Sequence, residues 1–239
     1  MSNEPLRLLA DNARWLVVDK PAGIASIPAR DEDPADSLRH RLQEQLGVPL
    51  WVVHRIDRET SGAIIYARDA DAHRTLSLAF QRGQVGKTYH AWTAGVPPTS
   101  EGRIDAPMHS ARKGKMRPAQ PGETGSIAAC TDYAVEQQWV IGDAAIARVR
   151  CHPRSGRQHQ IRVHLRSIGC PILHDALYGL ATFKPPYEQL PIARLALHAS
   201  AIDVPRVLEI PAQRVEAPLA ADLMALEAAF CGSGFNPRP

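Results

Sequence analysis

The stretch His54-Arg55-Ile56-Asp57-Arg58-Glu59-Thr60-Ser61-Gly62 is polar and lies between two apolar runs, Trp51-Val52-Val53 and Ala63-Ile64-Ile65-Tyr66. β-rich runs on either side of a polar segment that ends in glycine read as strand, tight loop, strand. The loop sets one carboxylate, Asp57, between Arg55 and Arg58. Arginine stays protonated, and an opposite charge nearby favours the ionised form of a carboxyl group. Such a residue acts as a nucleophile or base, not as a proton donor. For an isolated Arg-x-Asp-Arg, a surface turn whose charges compensate one another is the stronger reading. Partners elsewhere in the chain decide between the two.

Toward the N-terminus, residues 14–20 form a strand pattern stopped by Pro21 and turned by Gly23. Residues 25–36 hold Pro28 and Pro34 and read as a loop. Asp36 or Ser37 is placed to cap a helix with Leu38, Leu42 and Leu46 on one face, ended by Gly47. Beyond the central stretch, Ala72, Leu76 and Phe80 recur at helical spacing up to Gly83. Residues 87–93 alternate as a strand. Residues 97–125 are rich in Pro, Gly and charge with little apolar periodicity. They read as a flexible arm over a polyanion or as an insertion between two hairpins.

Residues 131–137 and 144–151 read as a strand pair joined through Gly142-Asp143, followed by a turn over 152–156. A helix then keeps Ile161, Leu165 and Ile168 on one side and stops at Gly169. Its first turn carries Arg157, His159 and Arg162, although helix N-termini favour anions. The arginines are therefore expected to serve a partner. Residues 195–199 and 207–210 read as two more strands, residues 216–230 as a closing helix, and residues 232–239 as a frayed tail. No linker divides the chain, so one domain over residues 1–239 is expected.

The chain has 239 residues and a formal net charge of +3. No apolar run approaches the roughly 18 residues that span a bilayer, and the first residues lack a signal peptide's apolar core. A cytoplasmic protein without a membrane partner is expected, with Cys130, Cys151, Cys170 and Cys231 as reduced thiols. Between Ala144 and His174 there is no acidic residue, while Arg148, Arg150, Arg154, Arg157, Arg162 and Arg166 accumulate. Arg112, Lys113, Lys115 and Arg117 form a second basic cluster. Concentrated arginine is the footprint of a phosphate-rich partner, and equally that of a solvated basic face. No HExxH or Cys-x-x-Cys spacing is present, so no metal is expected. The Gly-x-Ser-x-Gly elbow, the Walker loop and Gly-x-Gly-x-x-Gly are also missing. A cofactor-free reaction centred on one carboxylate survives.

Residues 54–62 resemble the catalytic motif of the RluA-type family of pseudouridine synthases, His-Arg-Leu-Asp-x-x-Thr-Ser-Gly, with Ile56 in place of leucine. Lys87-Thr88-Tyr89 is similar to the family's Lys-x-Tyr strand, and the stretch from Gly156 to Leu165 to its Gly-Arg-x-His-Gln-Ile-Arg segment. Smaller echoes are Asp19-Lys20-Pro21-Ala22-Gly23, Asp175-Ala176-Leu177-Tyr178-Gly179 and the run from Arg194 to Ala199. Ser155 departs from a common threonine and His174 from a common glycine.

The resemblance implies an α+β catalytic domain, a long, bent, mostly antiparallel mixed sheet flanked by helices and loops, with a central cleft. It covers about residues 10–210, without an S4 module. It implies an RNA uridine isomerase that works on ribosomal or transfer RNA without a small-molecule cofactor. Apart from the resemblance, a monomer is expected. Asp57 would be the catalytic aspartate, Arg162 its partner, and Tyr89 the ring that meets the base. Arg55 would replace the extruded nucleotide, and Arg58, Arg157, His159 and Lys113 would bind substrate. Two other readings stand beside it: an RNA-binding protein that has lost the reaction, and a carboxylate hydrolase with Glu59 as second acid.

Overall fold

A computed structural model of the chain describes residues 5–28, 33–179 and 184–232. In chain order it contains β1 (Leu8–Asp11), β2 (Trp15–Lys20), α1 (Leu38–Leu46), β3 (Trp51–Val52), β4 (Ser61–Ala67) and α2 (Ala70–Gln81). There follow β5 (Gly86–Ala94), β6 (Glu101–Asp105), β7 (Met108–Ser110), β8 (Met116–Pro118), β9 (Cys130–Ile141) and β10 (Ala144–Pro153). The chain continues with α3 (Gln160–Ser167), β11 (Leu197–Val204), β12 (Gln213–Glu216) and α4 (Ala221–Gly232). The fold is α+β. Two compact units share the chain, one built from the residues up to Lys87 with His198–Ala220, the other from Thr88–Leu197 with the residues from Ala221 onward.

In the first unit, β2 lies antiparallel between β1 and β4. The other edge of β4 is divided. β3 pairs antiparallel with its end at Tyr66 and Ala67, and β11 pairs parallel with its start at Ser61 and Gly62. β12 closes this sheet against β11. Every residue of β4 is buried, as expected of a strand covered on both faces. Trp15, Val17, Ala63, Ile65 and Ala67 form one core with Ala72 and Leu76 of α2 and with Ile202, Val204 and Val215. Ser37 caps α1, accepting from the His40 N–H, and Gly47 ends it in the left-handed region, where a residue without Cβ carries no penalty.

In the second unit, β5, β10, β9 and β6 run antiparallel in that order. β7 and β8 form a separate hairpin whose Met108 and Met116 pack with Ala129, Val163 and Tyr178. α4 is anchored by Phe230 against Trp139, with ring centroids 4.7 Å apart.

Three expectations need correction. Residues 97–125 are neither a loose arm nor a plain insertion. β6 takes its hydrogen bonds from β9, and the hairpin buries its two methionines. These apolar residues are too sparse to leave a period in the sequence. Residues 207–210 form a tight turn, in which the N–H groups of Val207 and Ile210 donate to each other's carbonyls at 3.0 and 2.9 Å. Leu208 takes a φ of +52° there. The returning strand is the polar β12, and because β12 uses Glu216 the closing helix starts only at Ala221. Of the expected tail, residues 232–239, Gly232 belongs to α4 and the rest lies outside the described residues. Among the described residues no helix is long and apolar enough to cross a membrane.

Gly62 joins the polar stretch to the sheet. Its φ is +108°, and a Cβ there would lie 2.2 Å from the Ala199 carbonyl oxygen of β11. Both facts exclude a side chain. Gly62→Ala is therefore expected to lower stability by about 2 kcal/mol or more, read as a lower urea midpoint, whereas Gly142→Ala, with open space around its Cβ, should cost less.

Candidate active site

Asp57, Arg55 and Arg58 share the loop between β3 and β4. Asp57 is half-buried, Arg55 exposed and Ile56 buried. The main chain on both sides of Asp57 is pinned by buried donors. The Ser26 hydroxyl donates to the Ile56 carbonyl at 2.8 Å and accepts from the Ile56 N–H at 3.2 Å. On the other side, the Arg58 carbonyl accepts from Lys20 Nζ at 2.7 Å and from the Gly23 N–H at 2.9 Å. Lys20 is wholly buried and also donates to the carbonyls of Pro21 and Ile24, so three carbonyls match the three donors of an ammonium group. The Thr60 N–H donates to the Asp57 carbonyl at 3.1 Å and closes the turn. Arg58 Nη1 reaches the Gly23 carbonyl at 3.3 Å.

His54 lets the chain leave the sheet. β3 stops pairing with β4 at Val52–Tyr66, yet the Ile65 N–H of β4 still needs an acceptor. His54 Nε2 accepts it at 3.0 Å, and the imidazole stacks on Phe80 with centroids 4.6 Å apart. Burial, and after it the charge of Lys87, push His54 down to about 3 from its ordinary 6.5. The ring is thus neutral and serves as a backbone acceptor. At the far end of the loop, Ser61 Oγ and His198 Nδ1 lie 2.9 Å apart.

The second unit holds the remaining candidates. Tyr89 is half-buried on β5, opposite Cys151 of β10. Arg162, on the first turn of α3, is 7% exposed. Its Nε donates to Asp175 Oδ2 at 2.8 Å and its Nη2 to Asp175 Oδ1 at 2.7 Å, a bidentate fork. Asp175 Oδ1 also accepts the N–H groups of Leu177 and Tyr178. The carboxylate is 1% exposed and accepts four hydrogen bonds, about its full capacity. It is a structural group that holds an arginine. The basic first turn of α3 is thus answered for Arg162 from inside the protein. Sequence reasoning missed Asp175 as this partner, and its signal was only the echo from Asp175 to Gly179.

His159 begins α3 with φ +54° and no side-chain cap, and its Nδ1 lies 2.9 Å from the Tyr178 hydroxyl. Arg157 is exposed, with Nε donating to the Ala128 carbonyl at 3.2 Å. Lys113 sits in the turn between β7 and β8, and its side chain lies outside what is described. In the same hairpin Arg117 is engaged by Glu123 at 2.7 Å, and Lys115 Nζ donates to the Leu177 carbonyl. Arg112 is exposed. The Ser155 hydroxyl donates to Gln160 Oε1 at 2.7 Å, a bond that threonine also makes. His174 has φ +53°, a conformation that glycine adopts more readily.

The family model described as RNA pseudouridylate synthase matches residues 14–167. An uncharacterized RNA pseudouridine synthase of Zymomonas mobilis is 34% identical, over 89% of this chain and 93% of its own length. The dual-specificity RNA pseudouridine synthase RluA of Escherichia coli is 34% identical, over 83% of this chain and 86% of its own. Ribosomal large subunit pseudouridine synthase D of Pseudomonas aeruginosa is 31% identical, over 92% and 70%. Among solved structures, human RNA pseudouridylate synthase domain containing 1 has a similar fold, with a TM-score of 0.79 at 22% identity. The match covers all of this chain and 91% of that one.

Two outcomes follow from the pinned groups. Asp175→Ala leaves Arg162 as a buried charge without its carboxylate and is expected to cost roughly 3–5 kcal/mol in urea unfolding. For His54 the folded-state value lies below the unfolded one, so the unfolded chain binds the extra proton first. Its contribution is complete above about 6.5 and is lost as the pH falls toward about 3. Urea midpoints taken on either side of that window should therefore drop more steeply in the wild type than in His54→Leu.

Proposed function

Because the chain belongs to the RNA pseudouridylate synthase family, whose members are isomerases, we propose that Asp57 is the carboxylate on which a uridine of ribosomal or transfer RNA is converted to pseudouridine. One observation carries the assignment. Asp57 is a half-exposed carboxylate on a main chain pinned at the residues before and after it. Asp175, by contrast, is buried and saturated.

The reaction conserves the atoms of the nucleoside. The bond from N1 of uracil to the ribose C1′ breaks, the base turns, and C5 forms the new bond to C1′. The hydrogen on C5 leaves as a proton and N1 gains one. Attack on the sugar, addition to the base and removal of a sugar proton each use the carboxylate in its ionised form. The target uridine must leave its stack before its glycosidic bond is reached. Arg55, exposed next to Asp57, is suited to occupy the space it leaves. Tyr89 offers a half-buried ring for stacking on the base.

Arg162 keeps its charge at any working pH and is fixed in rotamer by Asp175. On the match of residues 156–165 to the family's Gly-Arg-x-His-Gln-Ile-Arg segment, we assign Arg162 to the catalytic group together with Asp57 and Tyr89. Arg58, Arg157, His159 and Lys113 are assigned to the RNA backbone and the bases around the target. The chain is taken to act as a monomer in the cytoplasm, the compartment that holds ribosomal and transfer RNA.

The test is tritium release from RNA carrying 5-tritiated uridine. Asp57→Asn is expected to abolish release while RNA affinity stays within about threefold of the wild type, a change below 1 kcal/mol. Release by the variant would remove Asp57 from the mechanism. Tight RNA binding by the wild type with no release from either RNA would favour a protein that binds RNA without isomerising it.

A further inference from the structure

The hairpin of β7 and β8 has strands of only three residues each. A two-stranded hairpin of that size is marginal in isolation, so its position depends on what it is docked against. In the second unit the neighbours Leu177 and Tyr178 each meet the hairpin and the Arg162 cluster together, and Tyr178 does so through its buried side chain. Tyr178 is 5% exposed, and its hydroxyl accepts the Met116 N–H of β8 at 2.8 Å. The same hydroxyl lies 2.9 Å from His159 Nδ1. A phenol offers one donor and two acceptor positions, so the hydroxyl can accept the Met116 N–H and bond His159 Nδ1 at the same time, the direction of the second bond being set by the imidazole tautomer. The Tyr178 ring packs with Met108, Met116 and Val163. Its face lies 5.2 Å from Arg162 Cζ, and His159 meets it edge-on at 5.6 Å. Its main-chain N–H donates to Asp175 Oδ1, the carboxylate that holds Arg162.

We infer that Tyr178 is a positioning residue, whose hydroxyl fixes the basic hairpin to the Arg162–Asp175 pair and so sets where the hairpin meets RNA phosphates. The inference rests on the reading of the chain as an RNA uridine isomerase. The hairpin has other links: on the β7 side Met108 and Ile127 exchange two main-chain hydrogen bonds at 2.8 Å, whereas the remaining bonds at its turn and β8 end are made by side chains. Lys115 Nζ reaches the Leu177 carbonyl at 3.2 Å and Gln158 Nε2 reaches the Gly114 carbonyl at 3.3 Å, both through long side chains. The Met116 N–H is a buried main-chain donor, and losing its acceptor leaves a polar group unsatisfied. Arg112 is exposed near the tip of the hairpin, while Arg117 is already neutralised by Glu123. The placement of the tip, more than its total charge, then decides how RNA is met.

Tyr178→Phe keeps the ring and removes only the hydroxyl. Amide hydrogen exchange over residues 108–118 and steady-state tritium release are measured on the variant and the wild type, with thermal unfolding as the check on folding. Exchange at Met116 and its hairpin neighbours should quicken by about tenfold, and KM for RNA should rise by about five- to tenfold, with kcat within about twofold. A merely structural role would lower the active fraction, and hence kcat, while leaving KM in place. Unchanged exchange, faster exchange with unchanged KM, or a loss confined to kcat would each overturn the inference. The wild type run alongside separates the two levels. Its failure to release tritium strikes the enzyme reading itself, whereas normal release with an unaltered KM in Tyr178→Phe strikes only the role of Tyr178.

Discussion

The constraint on which the first unit depends is that a polar loop must leave a fully buried sheet without stranding hydrogen-bonding groups. Each N–H and carbonyl taken out of water needs a partner. β4 is buried along its whole length, and β3 covers only its last two residues. Where β3 departs, the His54 ring takes over as acceptor for Ile65, and Lys20, Ser26 and Gly23 supply donors to the loop itself. The loop is thereby as firmly set as the strands beside it. Residues that look made for chemistry, a histidine, a lysine and a serine, are used here to satisfy main chain.

The second unit meets the same kind of demand with side chains. Arg162 lies at the start of a helix, where the local dipole disfavours a cation. The bidentate carboxylate of Asp175 answers this, and Asp175 is in turn held by two main-chain N–H groups. Breaking any member leaves a charge or a donor buried, so the cluster behaves as one piece. Tyr178 extends that piece to the hairpin, because its ring, hydroxyl and main chain face three different neighbours.

What could be read in the sequence is what has a local signature. The strand-loop-strand around Asp57 was legible from its apolar flanks and from Gly62, α1 from Ser37 and Gly47, and α2 from the spacing of Ala72, Leu76 and Phe80. The candidates Asp57, Tyr89 and Arg162 came from motif resemblance. The supports were not legible. Ser26 lies 30 residues from Ile56, Lys20 38 from Arg58, and Tyr178 62 from Met116, and no period or spacing links such pairs. The strand expected at 207–210 failed for a related reason. Its apolar residues mimic a strand, but a left-handed Leu208 folds them into a turn, and the polar β12 takes the edge of β11.

The two aspartates are held in different ways. Asp175 receives four hydrogen bonds on its own oxygens and is closed to solvent, so any approach by a substrate would have to break buried bonds. Around Asp57 the main-chain restraint falls on its neighbours, through the carbonyl and N–H of Ile56 and the carbonyl of Arg58, and its side chain is half-exposed. Fixing the backbone on both sides of a residue restricts the directions open to its side chain. Preorganisation of this kind lowers the cost of orienting a reacting group. The buried cation in this region, Lys20, is aimed at three carbonyls, so its ammonium stiffens the loop through the main chain.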